Sequence, residues 1–206
     1  MYVLYHFPYS QHARRVVSLL EAAGLPYELR HVDMAKGAHL SAAYLAINPN
    51  HQVPTLIDGD LVLHESNAIL RYLCHQHGLT DWYPADPKHR ARVEQWLDWN
   101  QSRLSPAVID IVRNKVFLGE KGDKDAIARG EAKLRELAPI LEAGLQRDDF
   151  LTAAAPTIAD LSVASNLFQL GFADAIPSGA RIAAWYRRVG ELDAFRKSLP
   201  PRLKSP

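Results

Sequence analysis

Apolar residues run from Tyr2 to Tyr5, and after a Phe7-Pro8-Tyr9-Ser10 loop they recur at Ala13, Val16, Val17, Leu20 and Ala23. The first run has the length of a strand. The second has the three- and four-residue spacing of one helical face and ends at Gly24. Alternation from Pro26 to Asp33 predicts a second strand, which the right-handed crossover rule makes parallel to the first. A weakly helical stretch from Gly37 to Ile47 stops at Asn48-Pro49. Leu56-Ile57 and Leu61-Val62-Leu63 then flank Asp58-Gly59-Asp60, and Asp-Gly between apolar runs signals a β-hairpin. Glu65-Ser66-Asn67 supplies capping residues for a helical run through Leu73. The order β-α-β-α-β-β-α predicts a mixed four-stranded sheet whose hairpin provides the antiparallel strands.

The pattern changes at residues 78–87, Gly-Leu-Thr-Asp-Trp-Tyr-Pro-Ala-Asp-Pro, which are rich in turn formers and carry no period. This stretch is expected to link an α/β domain at residues 1–80 to an all-α domain at residues 88–206. Lys88 to Leu118, Asp125 to Leu145, Thr157 to Phe172 and Ser178 to Leu199 all carry helical periodicity. Pro106 and Pro139 are expected to bend or break the first two. Thr157-Ile158-Ala159-Asp160 has the hydroxyl and carboxylate of a capping box, a structural device worth about 1 kcal/mol.

Composition narrows the functional classes. With 24 Lys and Arg against 23 Asp and Glu, and no long run of one sign, the 206-residue chain lacks the electrostatic footprint of a nucleic-acid or anionic-membrane binder. No stretch reaches the roughly 18 apolar residues of a spanning helix, and Met1-Tyr2-Val3-Leu4-Tyr5 lacks the basic start of a signal peptide, so a cytoplasmic location is expected. The single cysteine, Cys74, excludes an intrachain disulfide, a CxxC redox pair and a multi-cysteine zinc site, and its helical setting predicts a packed core thiol. No metal is expected.

Chemistry concentrates between His51 and Ser66. Pro54 stands at the entrance to the hairpin, where a cis Val53-Pro54 bond would turn the Val53 N–H and C=O outward to pair with a ligand backbone. At the far end, a helix N-terminus bearing the Ser66 hydroxyl suits a carboxylate, and the Glu65 carboxylate suits an ammonium. Together they would hold the zwitterionic end of an amino acid about one hairpin from an exposed backbone edge.

Val-Pro before the hairpin, Glu-Ser at the next helix and Thr157-Ile158-Ala159-Asp160 in the helical region, in register behind a βαβ start, resemble the cytosolic glutathione S-transferases from end to end. The resemblance implies a thioredoxin-like N-terminal domain and an enzyme that activates the thiol of glutathione for attack on small hydrophobic electrophiles. Glutathione would be the co-substrate, with no further cofactor, and the chain would form a homodimer. Phe7-Pro8-Tyr9-Ser10 is similar to the loop of the theta- and delta-like classes and makes Ser10 the catalytic residue, with Tyr5 as the alternative thiolate donor. His39, Asn48-Pro49, His51, Gln52, Val53, Glu65 and Ser66 are implied as glutathione contacts. Gln52 stands where other members often have lysine. Tyr9 and Arg103 are implied at the electrophile pocket, whereas Trp96 and Trp99 are expected to pack in the core. The helix after Ser66 and the one from Lys88 are the expected dimer surfaces. A glutathione-dependent peroxidase, isomerase or dehalogenase, or a non-catalytic partner-binding protein on the same fold, are the alternatives.

Overall fold

The computed structural model describes residues 1–200, and in it the chain divides into two compact units: Met1–Leu79 with residues 192–200, and Thr80–Glu191. The first unit is built on β1 (Tyr2–His6), α1 (Gln11–Ala22), β2 (Tyr27–His31), a short α2 (Ala42–Leu45), β3 (Thr55–Asp58), β4 (Leu61–His64) and α3 (Ser66–Gln76). The sheet order is β2-β1-β3-β4, with β1 parallel to β2 and antiparallel to β3, as the hydrophobic pattern predicts. Thr55 pairs with His64 and Asp58 with Leu61, so Gly59-Asp60 makes a two-residue turn. Gly59 adopts φ 59°, the conformation that only glycine takes readily at the first central position of such a turn.

Leu4, Leu56, Val16, Leu20, Ile69, Leu70 and Leu73 are solvent-free and form the centre of this unit. The polar side of α1 is buried as well, including Arg14, Arg15 and Ser18. A periodic pattern names one buried face only when the other face is wet. Here α1 packs on both α3 and α9 (Asp193–Lys197), and Ser18 Oγ–H reaches Ser198 Oγ at 2.9 Å. Residues 192–200 therefore belong to the α/β unit, so the helical unit ends at Glu191 and does not run on through the residues expected in a helical domain at 88–206.

The second unit contains α4 (Pro87–Trp99), α5 (Ser105–Val112), α6 (Lys124–Gly144), α7 (Ile158–Gly171) and α8 (Ala180–Glu191). Pro106 coincides with a break in regularity: residues Asn100–Leu104 form a wider π-turn closed by Ser105 N–H to Asn100 O. Pro139 breaks nothing, since α6 runs through it with Leu134, Leu137 and Leu141 buried; tertiary packing outweighs the lost bond. Among the described residues α3 has no large exposed apolar side chain, whereas Ile109, Phe117 and Leu118 are exposed within Lys88 to Leu118, the other expected dimer surface; further ones lie at Met1, Leu29, Leu40, Leu61, Val62, Ile140 and Ile176.

Asn100 and Asn166 form a buried polar knot that periodicity does not reveal. Asn100 Nδ2 donates to Ser162 Oγ at 3.0 Å, and Asn166 Nδ2 donates to Asn100 Oδ1 at 2.7 Å and to Ser105 Oγ at 2.8 Å. Trp96 meets Trp99 edge to face at 5.1 Å and lies over Gly144, where a Cβ would stand 2.2 Å from its Cζ2. Gly144→Ala is therefore expected to destabilise the protein by about 1–3 kcal/mol, because the clash exceeds the gain in helix propensity. Urea unfolding measures this; a neutral or stabilising result would mean that the half-buried Trp96 swings freely out of the way.

Candidate active site

Ser10 closes a tight turn, its N–H bonded to Phe7 O at 2.9 Å with Pro8 at the second position, which favours the φ that proline imposes. It is the N-cap of α1, with extended backbone at φ −83° and ψ 118°, and its Oγ accepts from Ala13 N–H at 3.2 Å. That bond occupies a lone pair and leaves the hydroxyl proton available for an outside acceptor. The first turn of α1 contains no acidic residue, so the helix N-terminus favours an anion there unopposed. His6, at the other side of the loop, adds no cation at neutral pH: burial, with help from neighbouring His31, lowers its pKa to about 4.

The segment before the hairpin is held from below. Val53 is buried, the Val53-Pro54 peptide is cis, and Val53 packs with Val32 and Tyr44, joined by Tyr5, Phe7, Met34 and Ala38. Tyr44 Oη donates to Gln52 O at 2.6 Å, and Asn48 Nδ2 donates to Gln52 O at 3.0 Å and to Thr55 Oγ1 at 2.9 Å. Asn48 is completely buried, so it shapes the loop and does not touch a ligand, which corrects its implied role as a glutathione contact. Tyr44 was not a candidate either. An aromatic in a weakly helical stretch reads as core, and nothing local shows its hydroxyl turned toward a loop eight residues on. Among the described residues, neither the N–H nor the C=O of Val53 has a hydrogen-bond partner. His51, at φ 49°, and Gln52 are exposed on the same loop, while His39 is half-buried with an unpartnered Nδ1 in the short turn Ala38–Leu40.

Glu65 takes the N-cap position of α3 but does not cap it; no hydrogen bond links its side chain to the helix. Its carboxylate is exposed and its backbone stands at φ 72°, a left-handed conformation that costs a non-glycine residue about 1–3 kcal/mol and recurs at ligand sites. Ser66 follows as the first helical residue, buried. Arg15 of α1 donates from Nη1 to Asn67 Oδ1 at 3.2 Å, which ties the helix begun by Ser10 to the start of α3. Ser10, Val53, Glu65 and Ser66 thus share one unit and one connected set of supports.

The Tyr5 hydroxyl accepts from Arg30 Nη1 at 3.2 Å at the outer strand β2, and the Arg30 guanidinium lies over its ring. Tyr9 meets Phe7 edge to face in the Ser10 loop, and Arg103 is exposed in the π-turn of the helical unit. Burial raises the Cys74 pKa to about 12, so this thiol is inert core, as expected. Among the described residues no cluster of His, Cys, Asp or Glu is arranged to hold a metal ion, and no helix is long and apolar enough to cross a membrane.

Residues 4–81 match the family model of the glutathione S-transferase N-terminal domain, and residues 124–188 match that of the C-terminal domain. The chain belongs to the glutathione S-transferase family. Mouse glutathione S-transferase theta-1 is 35% identical over 200 residues, spanning 92% of this chain and 83% of that protein. Human glutathione S-transferase theta-1 is 37% identical over 188 residues, 87% of this chain and 78% of that protein. Among solved structures, the apo form of human glutathione S-transferase T1-1 superposes with a TM-score of 0.88 at 33% identity, covering 96% of this chain and 87% of that one. Poplar glutathione transferase F2 gives a TM-score of 0.86 at 27% identity, with 96% and 97% covered.

Proposed function

We propose that this glutathione transferase ionises the thiol of glutathione through Ser10 and directs the thiolate at a small hydrophobic electrophile. The observation that carries the reading is Ser10 itself, a helix N-cap whose Oγ accepts from Ala13 N–H and keeps its proton for a ligand. A free cysteine thiol has a pKa of about 8.5, so only a few per cent is nucleophilic at neutral pH. Lowering that pKa by about 2 units requires about 2.7 kcal/mol of preference for the anion. One hydrogen bond to a charged group supplies about 1.5–3 kcal/mol and a helix N-terminus about 0.3–1, so the two together suffice. The Tyr5 hydroxyl, which accepts from Arg30, also keeps its proton, but Tyr5 lies in a strand and only Ser10 stands at a helix N-terminus, which supports Ser10 as the donor.

In this reading the cysteinyl backbone of glutathione pairs with Val53, its γ-glutamyl carboxylate lies on Ser66 and the start of α3, and its ammonium on Glu65. Gln52, His51 and His39 face the remaining peptide, and Tyr9 contributes to the electrophile side. Glu65 is not consumed by capping, which supports its availability to a ligand. Glu65→Ala is expected to weaken glutathione binding by at least about 2 kcal/mol, since the ligand's ammonium loses its counter-charge. Titration calorimetry tests this, and unchanged affinity would remove the clamp. Turnover is tested by retention on immobilised glutathione followed by a screen of chromogenic electrophiles and hydroperoxides; binding without turnover would favour a non-catalytic role.

We place the protein in the cytoplasm as a homodimer. The exposed Leu61, Val62, Ile109, Phe117 and Leu118 are apolar side chains that a partner would cover. Sedimentation equilibrium is expected to give a species near twice the 23.0 kDa chain mass. A fully active monomer would contradict this.

A further inference from the structure

Arg15 is wholly buried on α1. One of its nitrogens, Nη1, donates to Asn67 Oδ1, while Nε and Nη2 are shut off from solvent and meet no acceptor. No carboxylate stands within ion-pairing distance of it among the described residues. A guanidinium does not solve this by losing its proton: burial and the adjacent Arg14 lower its pKa only to about 9, which leaves it charged at neutral pH. A buried, half-satisfied cation is strongly unfavourable unless something compensates. Among the described residues, the opposite charge that acts on it is that of Glu65, beyond ion-pairing distance.

Its position gives it a use. The helix that carries Arg15 begins at Ser10, and its partner Asn67 follows Glu65 and Ser66 at the start of α3. The guanidinium therefore lies behind the place where the proposed function seats the γ-glutamyl group. Binding that zwitterion brings an ammonium to Glu65 and a carboxylate to Ser66, and the carboxylate then gains a fixed cation in a water-poor surrounding, where charges act strongly. We propose that Arg15, anchored by Asn67, is a positioning residue for the γ-glutamyl α-carboxylate of glutathione. Being fully buried, it acts through its field and through the placement of Ser66 and Asn67, without touching the ligand. The proposal rests on the glutathione reading of the site.

A purely structural arginine and a positioning one part company on substitution. Replacing a buried, poorly paired cation with an apolar side chain of similar length is often neutral or stabilising, and here it also relieves repulsion from Arg14. Arg15→Met is thus expected to fold with a melting temperature at or above that of the wild type and yet to bind glutathione about tenfold more weakly, whereas Arg15→Lys stays within about threefold. The discriminating probe is γ-aminobutyryl-cysteinyl-glycine, which keeps the amine and the thiol and lacks only the α-carboxylate. Calorimetry should find that wild type and Arg15→Met bind this analogue equally. If Arg15→Met does not fold, Asn67→Ala, which keeps the cation but removes its anchor, is expected to lose affinity for glutathione and not for the analogue. Equal losses for both ligands, or an unchanged affinity for glutathione, would overturn the proposal. A wild type that binds neither ligand would instead overturn the functional reading beneath it.

Discussion

Ser10→Ala is expected to lower kcat/KM for conjugation by about 10- to 100-fold near pH 6.5 while moving the KM for glutathione by less than about threefold. The lost contact is one hydrogen bond to a developing anion, worth about 1.5–3 kcal/mol, and it lies at the thiol and not at the ends of the peptide. The loss should shrink as pH rises. The wild-type advantage is a larger thiolate fraction, and above a pH of about 9 the free thiol ionises without help. Residual stabilisation remains in the variant, because the α1 N-terminus is still free of acidic residues. A pH-rate profile of both proteins with a chromogenic aryl halide measures this. A loss of the same size at every pH would mean that Ser10 shapes the loop and does not act on the proton.

The second large effect is on stability. Asp160 is completely buried, and its carboxylate accepts from Thr157 N–H at 2.8 Å, Thr157 Oγ1 at 3.0 Å, Leu151 N–H at 2.9 Å and Trp185 Nε1 at 2.8 Å. Burial raises its pKa in spite of these donors. The sequence reading of a plain helix cap worth about 1 kcal/mol is therefore too small, since the same carboxylate fixes the loop before α7 and the buried indole of α8. Asp160→Ala leaves buried donors on three elements without acceptors and is expected to destabilise the protein by at least about 3 kcal/mol, a large part of the 5–15 kcal/mol that holds a typical domain folded. The shift in urea midpoint at constant slope gives the figure. A loss near 1 kcal/mol would confine Asp160 to its capping role.

These residues also mark how far the chain can be read before its structure is known. The sheet, its hairpin and the start of α7 follow from alternation, Asp-Gly and Thr-x-x-Asp, because each is a local rule relating side-chain type to backbone geometry. Glu65 became a candidate from its place at the start of a helix, and Ser10 from the resemblance of its loop to that of the theta- and delta-like classes. Their local states were not legible: the left-handed backbone of Glu65 and the refusal of its carboxylate to cap α3 follow from what surrounds it. Arg14 and Arg15 look like the wet face of an amphipathic helix, and only the packing of α1 on both α3 and α9 turns that face inward. Tyr44 and Asn48 support the Val53 loop through hydrogen bonds that carry no periodic signature. Pro139 shows the same limit from the other side, since the buried leucines of α6 outweigh a local helix breaker.

Ser10 is proposed to make bound glutathione a thiolate at neutral pH. Thiolate absorbance in the near ultraviolet, titrated against pH for glutathione bound to wild type, Ser10→Ala and Tyr5→Phe, tests it directly. A midpoint about 2 units below that of the free thiol in wild type and Tyr5→Phe, returning toward about 8.5 in Ser10→Ala, is the predicted result. A midpoint that stays low in Ser10→Ala and rises in Tyr5→Phe would contradict it and make Tyr5 the donor.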